Sequence, residues 1–331
     1  MKFPAFRPTA FLASFAAAVG VSFSMPLTAN AQSGDFPNRP IKLMVATAPG
    51  GSADATARMI AEGLTQAWGQ PVVVENRTGA NGMIAAQALT KSPADGYTIY
   101  MSLSSIVQNL LLQPNPGYRM EELTPVSMVA VLPIALAAPS QLPASNLAEL
   151  LTMAKQKPGS VSYGSYGVGS GAHIIGVALN KKAGVDMTHI PYKGETDSFA
   201  DLVNGRVTTA WGSVGFYANH LSGGKVKLLA VASPHRLKAF PNVPTLGEAG
   251  YPEANLAGFT GLFLPTGTPP AIVNKYAQGV AKVLATPEVQ AKVVSFGWEP
   301  MTNTPEAFKK QLDEEMQKWS TVIRENNIKL Q

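Results

Sequence analysis

Ile41-Lys42-Leu43-Met44-Val45-Ala46-Thr47-Ala48-Pro49-Gly50-Gly51-Ser52-Ala53-Asp54 opens a stretch that runs to Trp68, and its reading decides the fold. The apolar run is short enough for a buried parallel strand, Pro49-Gly50-Gly51 stops it, and Ser52 or Asp54 can cap a helix. Ala55, Met59, Ile60, Leu64, Ala67 and Trp68 then recur at helical spacing. The unit therefore reads as strand, glycine turn and helix. A helix N-terminus behind side-chain-free glycines presents unpaired N–H groups and the positive end of the helix dipole, which outlines an anion site. The same residues also suit an ordinary strand-to-helix turn, and both readings stand at this point.

Upstream, residues 1–31 have the plan of a secretory leader. Lys2 and Arg7 form a basic start, Phe11 to Phe23 an apolar core too short to span a bilayer comfortably, and Ala29-Asn30-Ala31 a small-x-small cleavage site before Gln32. Cleavage after Ala31 leaves 300 of the 331 residues and removes Lys2 and Arg7 but no acid, so the formal charge falls from +5 to +3. That mild balance is no nucleic-acid footprint. The remainder is long enough for two domains with separate cores, and it has no other apolar run of membrane-spanning length. With zero cysteines there is no disulfide, no thiolate nucleophile and no cysteine metal site. His173, His189, His220 and His235 show no metal-type pairing, which argues against a zinc enzyme; no cofactor is expected.

Downstream, short apolar runs alternate with helical ones. Val72 to Asn76 reads as a strand, Arg77 to Gly82 as a turn, the segment to about Leu89 as a helix, and Tyr97 to Met101 as a strand. The alternation predicts a parallel sheet with helices on both faces. Ser102, Ser104 and Ser105 then fall at a strand's C-terminal end, where open α/β sheets bind ligands, although a solvated loop reads equally well. Val126 to Ala138, interrupted by Pro133, suits a strand passing between domains. A second α/β set comes next: helices at 146–157, 171–183 and 195–204, and strands at 161–163, 188–190, 207–211 and 227–232. The chain then returns through a proline-rich loop, Pro234 to Pro252, to a strand at 261–264. Thr268-Pro269, Thr286-Pro287 and Thr304-Pro305 each place a capping hydroxyl before a proline at a helix start. The last helix carries Phe308, Leu312, Met316, Trp319 and Ile323 on one face, a core stripe under a solvated surface.

Gly164 to Gly171, with Ser165, Tyr166, Gly169 and Ser170, repeats the opening logic of strand end, flexible loop and helix. Two facing helix N-termini could hold an elongated dianion without a buried cation. Charge-assisted hydrogen bonds are worth about 1.5–3 kcal/mol each, so a handful supports micromolar binding near 8 kcal/mol. Rival motifs fit poorly. Gly167-Val168-Gly169-Ser170-Gly171-Ala172 approximates a dinucleotide fingerprint but lacks the acid at the expected distance. A nucleophile elbow would need glycine where Tyr163 precedes Ser165 and Trp211 precedes Ser213. His173, near a helix start, reads as a ligand's hydrogen-bond partner or as packing.

Taken together, several stretches resemble the Bug family of periplasmic substrate-binding proteins of tripartite tricarboxylate transporters. They are Pro49 to Asp54, Gly69 to Arg77, Asp95-Gly96-Tyr97-Thr98, Ile190-Pro191-Tyr192-Lys193-Gly194 and Asn242 to Gly250, and the resemblance covers essentially the whole chain after the leader. It implies an α/β fold of the two-domain periplasmic binding protein type (type II-like), with a ligand cleft between domains joined by crossing strands. Residues 32–132 plus about 232–331 would form one domain and about 133–231 the other. It implies a monomeric, non-enzymatic periplasmic receptor that closes on a small carboxylate and delivers it to membrane permease subunits. The contacts would come from the first glycine loop with Thr47, Pro49, Gly50, Gly51, Ser52 and Asp54, from Ser102 and Ser104, and from the second loop with Ser165, Tyr166, Gly169, Ser170 and His173. Tyr192, Trp211, Gly212 and Ser213 complete the set. Amino-acid-binding members typically carry Phe-Asp where this chain has Trp211-Gly212, and that acid would pair with a ligand ammonium. Its replacement by glycine removes the charge and opens space, which points to a carboxylate without an amine: a di- or tricarboxylate, or an aromatic acid such as a phthalate isomer. Tyr166 and Trp211 are then available either to stack on the ring or to pack in the core. An enzyme using the same cleft and an amino-acid-binding member are the alternatives.

Overall fold

The computed structural model describes Met1 and residues 36 to 328, so the leader and its cleavage point lie outside the described residues. The opening unit folds as β1 (Ile41–Val45) and α1 (Ser52–Trp68), followed by β2 (Val72–Asn76), α2 (Met83–Thr90), β3 (Thr98–Leu103) and α3 (Ser105–Leu112). β1 lies between β2 and β3 and runs parallel to both, with Val45 level with Asn76 on one side and Met101 on the other. All three strands therefore end at one edge. α3 was not expected from the sequence: Ser104 and Ser105 read as loop, whereas Ile106 and Val107 bury against α2 and the sheet.

β4 (Leu123–Leu132) and β5 (Ile134–Pro139) belong to different sheets and are separated by Pro133 alone. Proline has no N–H for a ladder, so the long apolar run breaks there and changes sheet. The second sheet is completed by β6 (Ser162–Ser165), β7 (Thr188–Pro191), β8 (Thr209–Ser213) and β9 (Val226–Ala232), in the order β7-β6-β8-β5-β9. Its helices are α4 (Leu147–Gln156), α5 (Gly171–Ala183), α6 (Glu195–Val203) and α7 (Val214–Leu221). The chain returns between Ala232 and β10 (Gly258–Pro265), and Asn255 staples the return by bonding both the N–H and the C=O of Ser233 at 3.0 and 2.9 Å. α8 (Pro270–Leu284), α9 (Pro287–Ser295), β11 (Glu299–Pro300) and α10 (Pro305–Glu325) complete the first lobe, whose sheet order is β11-β4-β10-β3-β1-β2.

Both sheets are mixed, not wholly parallel. β10 runs antiparallel to β3 and β4, and β5 antiparallel to β8 and β9, because the strand by which the chain arrives from the other lobe, β10 in the first sheet and β5 in the second, runs against the βαβ direction. The three Thr-Pro starts also differ from one another. α8 begins one residue later than expected, at Pro270, and Thr268 Oγ1 bonds Pro265 O instead; only Thr304 of the three accepts an N–H, that of Ala307 at 3.2 Å.

One core cluster packs α1 and α8 against each other on one face of the first sheet through Ile60, Leu64, Tyr276 and Val280. Full burial of one such aliphatic side chain contributes about 1.5–3 kcal/mol. A second cluster runs from α3 and α10 of the first lobe into α5 and β8 of the second. In it the Trp319 ring comes so close to the start of α5 that a Cβ added at Gly171 would lie 3.5 Å from it. The lobes also meet backbone to backbone: a Cβ on Gly215 would fall within 1.7 Å of Phe296 O, so only glycine allows α7 to approach there.

Candidate functional site

The turn after β1 is built around a carboxylate. Gly50 takes φ +87°, a left-handed conformation natural to glycine, and extended Gly51 is the N-cap of α1. Neither Ser52 nor Asp54 caps forward. Asp54 instead reaches back: its Oδ2 accepts Gly50 N–H at 2.9 Å and Arg58 Nε at 2.9 Å, and its Oδ1 accepts Arg58 Nη2 at 3.0 Å and Asn76 Nδ2 at 2.8 Å. Asn76 Nδ2 also bonds Thr47 O at 2.9 Å. The Arg58 hydrogen bond, helped by Gly50 and Asn76, holds the Asp54 carboxyl at about 2 despite burial. With its oxygens filled this way, Asp54 braces the loop. Ser52, at the first position of α1, faces outward into a cleft of about 570 Å³. That volume lies in the usual range for small-molecule sites.

A second wall comes from the end of β3. Ser102 is buried in the sheet, its Oγ donating to Leu103 O or to Tyr100 OH at 3.1 Å, and it does not line the cleft. Ser104, Ser105, Gln108 and Asn109 do line it. Asn109 Nδ2 donates to Asn81 O at 2.9 Å and Asn81 Nδ2 to Asn109 Oδ1 at 3.2 Å, which fixes Asn81, another lining residue, in a left-handed conformation.

Across the cleft stands the second glycine loop, Tyr166 to Gly171, all of it lining. Several of its donors are spent on itself. Ser170 Oγ donates to Gly167 O at 2.6 Å and accepts His173 N–H at 3.3 Å, while Gly169 N–H donates to His173 Nδ1 at 3.1 Å. An Nδ1 that accepts makes His173 a neutral imidazole protonated on Nε2. Its ring stacks on His189 with centroids 4.1 Å apart, and His189 Nε2 lies 2.7 Å from the buried Ser165 Oγ. Burial lowers His173, and burial together with His173 takes His189 to about 4. Both rings hold the loop from behind.

The last wall was not singled out in the sequence. Glu195 opens α6 and lines the cleft; its Oε1 accepts Ser213 N–H at 2.6 Å and its Oε2 accepts Ser213 Oγ–H at 2.8 Å. Burial pushes the Glu195 carboxyl up, against the pull of the two Ser213 bonds. Asn81, Gln108, Asn109, Gln113 and Glu195 are thus the polar residues that sequence reasoning missed as lining. The available signals were the apolar spacing of Ile106, Val107 and Leu110, which marks a helix after Ser104, and an acid at a helix start directly after Gly194.

Of the residues expected at the site, Ser52, Ser104, Tyr166, Gly169, Ser170 and Ser213 are brought together around one cleft. Thr47, Pro49, Gly50, Gly51, Asp54, Ser102, Ser165 and His173 lie in or behind its loops. Trp211 is 0% exposed on β8, flanked by β6 and β5, and it packs in the core. Gly212 does not open space, because a Cβ there would sit 2.9 Å from the Tyr217 ring. Tyr192 donates its hydroxyl to Asp201 Oδ2 at 2.9 Å, outside the cleft lining.

A family model described as tripartite tricarboxylate transporter family receptor matches residues 56–328. The chain belongs to that receptor family. Protein BugT of Bordetella pertussis is 35% identical over 327 residues, 98% of each chain. Among solved structures, a protein of R. palustris determined with adipate superposes with a TM-score of 0.78 at 32% identity, over 89% of this chain and 99% of that one. MatC from Rhodopseudomonas palustris, with bound malate, gives a TM-score of 0.73 at 30% identity over 87% and 100%. The family is one of periplasmic solute receptors, not enzymes, and the Bug resemblance and the two-domain α/β fold are correct for this member.

Proposed function

We propose that this receptor is exported, loses its leader after Ala31, captures a small carboxylate in this cleft and delivers it as a monomer to the permease subunits of a tripartite tricarboxylate transporter. The observation that carries the reading is the convergence of the N-terminal ends of α1, α3 and α5 on one cleft whose lining, among the described residues, contains no Lys, Arg or His. Such a site holds an anion through backbone N–H groups and hydroxyls, as helix N-termini do. Relatives solved with adipate and malate support a carboxylate as the ligand class.

Ser52 and Ser104 are assigned the hydrogen bonds to the carboxylate, while Tyr166, Gly169, Ser170 and Ser213 meet the rest of the ligand across the cleft. Thr47, Pro49, Gly50, Gly51, Asp54, Ser102, Ser165 and His173 shape the loops that present them. Tyr166 is the aromatic wall, while Trp211, Gly212 and Tyr192 support the second lobe from within. The lobes are assigned as residues 32–132 with about 232–331, and about 133–231. Ligand favours the state in which the lobes are closed because only that state makes both sets of contacts. The test is a thermal-shift panel of benzoate, phthalate isomers, citrate, C4 dicarboxylates, nicotinate and amino acids, with each compound recovered and weighed by mass spectrometry. Stabilisation with intact compound is expected; turnover, or stabilisation by no carboxylate, would refute the reading.

A further inference from the structure

The two sides of the cleft differ in what they leave for a ligand. On the first lobe, Ser52 at the start of α1 and Ser104 and Ser105 at the start of α3 face the cleft from helix ends whose first N–H groups have no intrahelical acceptor. On the second, Gly169 N–H and the Ser170 hydroxyl bond within their own loop, and the N–H and hydroxyl of Ser213, the N-cap of α7, are both taken by Glu195. Glu195 is the one acidic residue among the described residues lining the cleft. None of the ion pairs formed by the described residues includes it. The hydroxyls of Tyr166, in the glycine loop, and of Tyr217, on α7, feel its charge. Neither is a cation. A carboxylate has about four lone-pair positions, and Ser213 fills two, so Glu195 keeps acceptor capacity on its cleft side. A partly buried carboxylate without a counter-ion is stabilised by a partner that brings one.

Resting on the reading of this cleft as a carboxylate site, we propose that Glu195 sets its specificity: the ligand turns its carboxylate to the first lobe and an ammonium to Glu195, and dicarboxylates of equal length are rejected. The acid missing at Gly212 is thus supplied from α6, which replaces the amine-free ligand expected from that glycine. Like charges placed together in a desolvated site repel, while an ammonium gains a charge-assisted hydrogen bond there.

The test is calorimetric titration of the wild-type receptor with matched pairs, γ-aminobutyrate against glutarate and δ-aminovalerate against adipate, followed by the same pairs on Glu195→Gln. The wild type should bind the amine of each pair at least about tenfold more tightly. In the variant, whose amide oxygen still accepts Ser213 N–H and whose NH2 can donate to the Ser213 hydroxyl, that ratio should collapse or invert. Equal binding within each pair, a ratio unchanged by the substitution, or dicarboxylate binding that tightens as pH falls would overturn the inference and leave the carboxylate site standing. The last result would mean that a protonated Glu195 donates to the ligand. Failure of every carboxylate, these pairs and the wider panel alike, would overturn both readings.

Discussion

Replacing Asp54 by Asn tests whether the first glycine turn is held by charge. Its carboxylate is nearly inaccessible and gathers Gly50 N–H, Arg58 and Asn76 onto itself. Its pKa falls from 3.8 to about 2, chiefly through the Arg58 hydrogen bond. A carboxyl depressed in the folded state contributes stability that is complete above its unfolded value near 3.8 and is lost as pH falls toward about 2. At about 1.36 kcal/mol per pH unit the difference corresponds to about 2.4 kcal/mol. Because the Arg58 side chain is 53% exposed, solvent screening reduces this to about 1 kcal/mol. In a chain of this length that is about 2 °C in Tm. Urea unfolding of the wild type and Asp54→Asn should therefore differ by about 1 kcal/mol at neutral pH, with the gap closing below about pH 3. A gap that stays constant across the acid range, or none at neutral pH, would show that the turn is held by packing.

Gly51→Val should fold normally, since Gly51 is extended and the nearest atom to an added Cβ is Ala48 O at 3.8 Å. Its branched side chain at the mouth of α1 should cost at least about tenfold in carboxylate affinity by calorimetry, the loss of about one charge-assisted hydrogen bond; unchanged affinity would reduce the loop to a turn. His189 titrates near 4 in the folded chain against 6.5 ordinarily, so its contribution is complete above about 6.5 and lost as pH falls toward 4, where the unfolded chain takes up the proton first. His189→Gln should flatten that part of a Tm-against-pH curve, and an identical slope in the variant would assign the loss elsewhere.

The sequence exposes elements better than it exposes what their ends are doing. β1 with α1, and α5 with its Gly184 stop, are legible because period and punctuation are local properties. Both glycine loops are legible for the same reason, and they do meet across one cleft. Whether a loop's donors are free is decided by groups that only the fold brings near. His189 reaches Ser165 from 24 residues away and Asn76 reaches Asp54 from 22, so the polar groups that drew attention at positions 54, 165 and 173 turn inward and brace. Trp211 and Gly212 mislead for a related reason. On a strand with neighbours on both sides, an aromatic can be wholly enclosed, and a glycine can mark a site that Tyr217, five residues on, has already filled. Glu195 is the converse. In Lys193-Gly194-Glu195 the acid reads as an ordinary helix-start residue until β8 places Ser213 beside it, 18 residues later. The two loops are alike in sequence, but the first leaves the start of α1 open while the second lobe has committed its hydroxyls and added a carboxylate. That asymmetry favours a ligand with two chemically different ends over a symmetrical diacid.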